Sequence, residues 1–175
     1  QLGMENYRQL FSPDTELGRW LATRNTMLRI GRNLFVHAGL SARLLERDLE
    51  MDTLNARMSE GLYRTSKERR EDPTLEFLYR SAGPVWYRGM VCTDEKYDPL
   101  TPEQTDALLR RYDADRLLVG HTIFPDISTF HDGRVIAVNV QNELNRRKNR
   151  GRAVLIEGSR ISVVGNRGVK RVLEE

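Results

Sequence analysis

Met27-Leu28-Arg29-Ile30-Gly31-Arg32-Asn33-Leu34-Phe35-Val36-His37 is the stretch on which the fold reading turns. Two short apolar runs flank Gly31-Arg32-Asn33, a turn composition, so the segment predicts a β-hairpin whose second strand ends at His37. Before it, residues 5–25 place Tyr7, Leu10 and Phe11, then Leu17, Trp20 and Leu21, at helical spacing, and Pro13-Asp14 divides them into two short helices. After it, Ser41 can cap a helix running to Asp48, and residues 51–64 align Leu54, Met58 and Leu62 on one helical side. The mixed-sign run at 67–72 reads as a solvated helix end or loop. Asp72-Pro73 restarts a helix that reaches about Tyr79 and breaks at Gly83-Pro84.

The later chain changes character. Thr101-Pro102-Glu103-Gln104 supplies a cap, a proline at the first helical position and an acidic first turn, so a helix runs from there to Tyr112. Strands follow at 116–120, at 127–130, and after the Asp132-Gly133 turn at 135–140, with a last pair around Gly158-Ser159. Helices early and mostly antiparallel strands late, without an internal repeat, predict an α/β or α+β fold with a sheet-rich C-terminal half.

Composition bounds the function. At 175 residues the chain has the length of one domain, given about 150 residues per domain. No apolar run approaches the roughly 20 residues of a membrane span. The lone Cys92 excludes an internal disulfide framework and a cysteine-based zinc site within one chain. No secretory signal pattern is present, and Gln1 stands inside a helical pattern, so the expectation is a C-terminal piece of a longer protein, with its compartment open. Net charge is +3, and the 28 basic residues divide into 24 Arg and 4 Lys. Arginine's rigid donor fork suits bidentate contact with carboxylate or phosphate.

Two histidines share a setting. His37 follows Leu34-Phe35-Val36 and precedes Ala38-Gly39-Leu40, and His121 follows Leu117-Leu118-Val119-Gly120. Each stands where a strand opens into a small-residue turn; singly each reads as a hydrogen-bonded structural histidine, and together they read equally as a metal half-site. His131, beside the Asp132-Gly133 turn, is expected to be exposed and inert. Gly83-Pro84-Val85-Trp86-Tyr87-Arg88-Gly89 reads as a strand carrying two aromatics and then Arg88, which either grips a phosphate in a cleft or forms a surface ion pair. No Gly-x-Ser-x-Gly elbow occurs, and Gly165-Asn166-Arg167-Gly168 lacks the ending of a phosphate loop.

Phe35-Val36-His37-Ala38-Gly39-Leu40-Ser41, Trp86-Tyr87-Arg88-Gly89 and Val119-Gly120-His121-Thr122, in that order, resemble the C-terminal signatures of calcineurin-like metallophosphoesterases. The nearer resemblance is to the phosphoprotein phosphatases, in their Shewanella-like bacterial branch. It implies the C-terminal half of a metallophosphoesterase-type β-sandwich flanked by helices, with a helical insertion at about 44–81. It also implies a metal-dependent phosphomonoester hydrolase of serine/threonine phosphatase type, acting through metal-activated water. His37 and His121 inherit the role of metal ligands and Arg88 the grip on substrate phosphate, with two divalent ions (manganese, or iron with zinc) in the complete domain. Ile123 stands where the wider superfamily has a further histidine, and Asn139 where many relatives carry an acid. The family's upstream Asp, His and Asn motifs are not in residues 1–34, so the expectation is that an N-terminal half completes the site and that this chain alone is inactive. Phosphorylated protein or a small phosphomonoester is the implied partner, and no membrane is.

Rival readings remain. A non-catalytic phosphatase-like interaction domain would use the same scaffold. The basic run Asn145-Arg146-Arg147-Lys148-Asn149-Arg150-Gly151-Arg152 reads as a solvated loop first, an anionic-substrate rim second and a nucleic-acid contact last, since no aromatic platform is interleaved.

Overall fold

The computed structural model describes residues 2–174. Helices α1 (Leu2–Leu10) and α2 (Glu16–Ala22) open the chain, and the Thr15 hydroxyl caps α2 by accepting from the Gly18 amide at 3.0 Å. Strands β1 (Met27–Ile30) and β2 (Asn33–Val36) pair antiparallel, Met27 opposite Val36 and Ile30 opposite Asn33. Only Gly31 and Arg32 make the turn. Gly31 holds φ +58° there, a conformation that costs a residue without Cβ little.

A helical run then carries the chain away: α3 (Arg43–Arg47), α4 (Met51–Gly61), α5 (Ser66–Arg70), α6 (Pro73–Tyr79) and α7 (Pro102–Arg111). Ser41 does not cap α3. The cap position belongs to Ala42, and the buried Ser41 hydroxyl instead donates to the Ala82 carbonyl at 2.8 Å. Residues 67–72 are not a loose end, because Thr65 and Glu68 form a reciprocal capping box that starts α5. The signal was present as Thr65-Ser66-Lys67-Glu68 and was masked by the mixed charge around it. Asp72 caps α6 by accepting from the Thr74 and Leu75 amides and pairs with Arg57.

Because helices fill the connection from β2, the next strand returns parallel to it. β3 (Arg116–Val119) pairs parallel with β2, β5 (Val135–Ala137) pairs parallel with β3, and β4 (Ser128–Phe130) closes antiparallel on β5. The expectation of mostly antiparallel strands is therefore corrected at the sheet's centre, β2-β3-β5. Strands β3 and β5 are covered on both faces: Leu117, Leu118 and Val119, and Val135, Ile136 and Ala137, are all buried.

Two apolar clusters explain that burial. Leu34, Val36, Leu117 and Val119 pack toward the helices with Leu54, Leu78 and Leu108. Leu118 and Ile136 on the other face pack against Ile161 and Val163. The latter two lie on β7 (Arg160–Val164), the centre of a second, three-stranded antiparallel sheet with β6 (Ala153–Glu157) and β8 (Lys170–Glu174). Burying each such side chain contributes about 1.5–3 kcal/mol. The architecture is α/β, with helices, a mixed central sheet and a small sheet in layers.

The basic run is not a free loop. α8 (Asn142–Arg147) takes in its start, Arg150 donates to the Asn145 side chain at 2.8 Å, and Arg152 pairs with Asp126 at 2.7 Å. Among the described residues no helix is long and apolar enough to cross a membrane.

Candidate active site

Parallel pairing of β2 and β3 aligns Val36 with Val119, so the residues after each strand leave the same carboxyl edge. In open α/β sheets that edge is where ligands bind. His37 and His121, 84 positions apart, meet there: His37 Nε2 and His121 Nδ1 are 3.1 Å apart and share a hydrogen bond. The Gly120 amide donates to the His37 carbonyl at 2.9 Å and locks the two loops together. His121 itself holds φ +59°, and the Thr122 amide donates to the Gly120 carbonyl at 2.6 Å across it. Such a three-residue turn at a non-glycine residue costs on the order of 1–3 kcal/mol, the kind of strain that functional sites retain.

Arg88 reaches the same opening from a turn, not from the strand read in the sequence. Pro84 fixes the local backbone, the Trp86 and Tyr87 amides donate to the Gly83 carbonyl, and the Val91 and Cys92 amides donate to the Arg88 carbonyl. The turn is tied to the histidine loop, since the Pro84 carbonyl accepts from the Ala38 amide at 3.0 Å. Gly39 permits the approach, because a Cβ there would lie 3.0 Å from the Tyr87 carbonyl oxygen. Tyr87 is buried and donates its hydroxyl to the Asp98 carbonyl, while Trp86 is 54% exposed and stands edge-on to the His121 ring, centroids 5.4 Å apart. The two aromatics are thus one core residue and one rim residue.

The guanidinium of Arg88 makes no ion pair among the described residues. Its Nη1 donates to the Thr122 hydroxyl at 3.3 Å, and its centre lies 5.9 Å from the Tyr97 ring centroid. A half-buried cation without a carboxylate is available to an anionic ligand, and the surface ion pair considered from sequence is absent. Burial first, then the charges of Arg88 and His37, pushes the His121 imidazole below its ordinary pKa of 6.5. One proton is shared between His37 Nε2 and His121 Nδ1, leaving His121 Nε2 buried without a partner among the described residues. Such an orphan ring nitrogen costs about 1–3 kcal/mol until something bonds it.

Two other readings need amendment. His131 is neither exposed nor idle: its Nδ1 meets the Thr105 hydroxyl at 3.2 Å and its Nε2 the Met90 carbonyl at 3.1 Å. No local pattern foretells these contacts, since Met90 and Thr105 are distant in sequence. Asn139 serves the backbone, its carbonyl accepting from the Phe124 amide at 2.9 Å, and Ile123 is 63% exposed. Beside His37, an apolar groove of about 600 Å³ runs over Leu28, Phe35, Leu118, Val138 and Val154.

The residues do not make up a metal centre. His37 and His121 provide two nitrogens, one short of the three protein ligands of a catalytic zinc site. Among the described residues no group of three or more His, Cys, Asp or Glu side chains stands together to hold an ion.

No protein-family model matches the chain, and no curated protein does. Solved structures do. A cold-active protein tyrosine phosphatase is 30% identical with a TM-score of 0.86, covering 97% of this chain and 48% of that one. The cold-active protein-tyrosine phosphatase of a psychrophilic Shewanella species is 28% identical with a TM-score of 0.85, covering 96% of this chain and 48% of that one. This chain spans about half the length of the solved chains it matches.

These findings correct the resemblance drawn from sequence. The neighbours are named as tyrosine phosphatases, not as calcineurin-like metallophosphoesterases, so the α/β architecture stands without its assignment as a metallophosphoesterase half-domain. The expected cofactor, two divalent ions ligated in part by His37 and His121, is corrected with it, on those names and on the missing ligand group.

Proposed function

We propose that this chain forms part of a phosphomonoester hydrolase acting on phosphotyrosine in protein. The observation that carries the reading is the Arg88 guanidinium, free of any carboxylate among the described residues and bonded to Thr122 next to the His37–His121 pair at one sheet edge. Arg88 would hold two phosphoryl oxygens bidentately and stabilise their charge as water adds in line to phosphorus and the bond to the leaving phenol breaks. His121 Nε2 is enclosed by the fold and would reach a phosphoryl oxygen or the attacking water only once substrate binding opens the turn around it, while His37 holds the His121 ring in register. The exposed Trp86 ring beside His121 and the Tyr97 ring beside Arg88 frame the opening in a way that suits an aromatic leaving group. The tyrosine specificity named for the structural neighbours supports the same choice over phosphoserine.

The partners under this reading are a phosphorylated protein and, because the neighbours are about twice as long, polypeptide corresponding to their unmatched half. The apolar groove beside His37 is the seat proposed for the latter. The test is hydrolysis of a phosphotyrosine and a phosphoserine peptide by the protein expressed from its complete reading frame. Faster cleavage of phosphotyrosine is expected, with Arg88→Ala lowering kcat/KM about 100-fold, or roughly 3 kcal/mol. Full turnover in that variant, or no cleavage of any phosphomonoester by the unaltered protein, would overturn the proposal.

A further inference from the structure

Arg88 also borders a groove of about 550 Å³, lined by Arg43, Arg80, Trp86, Tyr97 and Asp98 together with Arg88 itself. Arg43 opens α3 and Arg80 caps the end of α6, so helices separated in sequence each bring an arginine to the lining of one cleft. Several other arginines are committed to carboxylates within the fold. Arg29 and Arg32 pair with Asp113, Arg57 with Asp72, Arg111 with Glu50, Arg134 with Asp106 and Arg152 with Asp126. Among the described residues Arg43, Arg80 and Arg88 have no carboxylate partner, and they share one groove. Lys96, also on this wall, is tied to Asp94 at 2.8 Å.

From this arrangement we infer that the site takes phosphopeptides with acidic residues flanking the phosphorylated side chain, which Arg43 and Arg80 receive while Arg88 holds the phosphoryl group. The inference rests on the phosphate role of Arg88 and adds the substrate class. The groove is large enough for several side chains, within the roughly 300–1,000 Å³ of ligand sites. Asp98 interrupts the positive strip. An interrupted strip suits discrete acidic side chains, with backbone between them, better than the unbroken negative charge of a nucleic-acid strand. Trp86 and Tyr97 supply apolar walls on which the peptide's intervening carbons can lie.

The experiment uses two fluorescein-labelled phosphotyrosine peptides, one with Glu at the flanking positions and one with Gln there, titrated by fluorescence anisotropy. The acidic peptide should bind about tenfold tighter at low salt, roughly threefold per exposed guanidinium, with the advantage shrinking as salt is added. In the Arg43→Ala/Arg80→Ala variant that advantage should fall below about twofold, and Arg80→Glu should invert it. Both side chains are exposed, so the substitutions should leave the fold intact, and circular dichroism of each variant checks this. Arg88→Ala should weaken both peptides by a common factor. If Arg88→Ala weakens neither, the phosphate reading fails. If it weakens both while the double variant keeps the full acidic preference, the groove proposal alone fails. Displacement of the acidic phosphopeptide by a single-stranded oligonucleotide at equal charge concentration would reassign the groove to a general polyanion and overturn the peptide proposal.

Discussion

Replacing Gly83 by alanine tests whether the Gly83-Pro84 turn governs both stability and site geometry. A Cβ at position 83 would lie 2.0 Å from the Leu78 carbonyl oxygen, 2.5 Å from the Leu78 carbonyl carbon and 2.8 Å from the Phe77 carbonyl oxygen. All three are backbone atoms at the end of α6, so no side chain can swing aside. Opening the first contact to even 3.0 Å requires 1 Å of backbone movement. Overpacking of this kind costs about 1–3 kcal/mol, and a backbone-on-backbone clash belongs at the upper end, about 3. For a chain of this length each kcal/mol lowers Tm by about 2–4 °C, so a drop of about 6–12 °C is expected by differential scanning calorimetry. The displacement also travels. The Gly83 carbonyl anchors the Trp86 and Tyr87 amides, and the Pro84 carbonyl anchors Ala38, so Arg88 and His37 shift with it. A misplacement of about 1 Å can reduce turnover about 100-fold. Gly3→Ala, where nothing lies within 4 Å of the added carbon, is the control. A Gly83→Ala protein melting within about 1 °C of the parent would refute the reasoning.

Other outcomes follow from the same contacts. His131→Ala should lower stability by about 1–3 kcal/mol, because the Met90 carbonyl and the buried Thr105 hydroxyl lose a partner; an unchanged urea midpoint would return His131 to the inert role read from sequence. Ser41→Ala should also cost about 1–3 kcal/mol by stranding the Ala82 carbonyl, whereas a Ser41→Thr protein that restores the bond but not the stability would point to a packing cause instead. The lowered pKa of His121 makes the unfolded chain bind protons first as pH falls below about 6.5. Its contribution to stability is therefore flat above that value and lost as pH drops through the lowered native pKa. Urea midpoints measured from pH 8 to 5 should show this slope in the parent and a shallower one in His121→Asn.

Much of the secondary structure was legible because its causes are local. The Gly31-Arg32 turn, the caps at Thr101 and Asp72, and the apolar spacing of Leu54 and Met58 each act within a few residues. Helix α5 is harder to read locally, because the mixed charge of residues 67–72 overlies the capping box at Thr65 and Glu68. The same local reading made Arg88 part of a strand, since an apolar-aromatic run looks alike in a strand and in a proline-set turn. The strand endings at His37 and His121 were visible, so both side chains were marked as site residues.

What the sequence determined by itself was the choice of His37, His121 and Arg88 as candidate side chains and a chain of helices and strands of α/β or α+β class. Tertiary structure decided what they are next to. Parallel pairing of β2 with β3 depends on contacts 83 positions apart, and nothing in either strand encodes its partner. That pairing alone brings the two imidazoles to 3.1 Å. Among the described residues, folding likewise left Arg43, Arg80 and Arg88 without carboxylates while pairing Arg57, Arg111 and Arg134. Composition counts charges, but only packing settles which of them are neutralised by neighbours and which face a ligand.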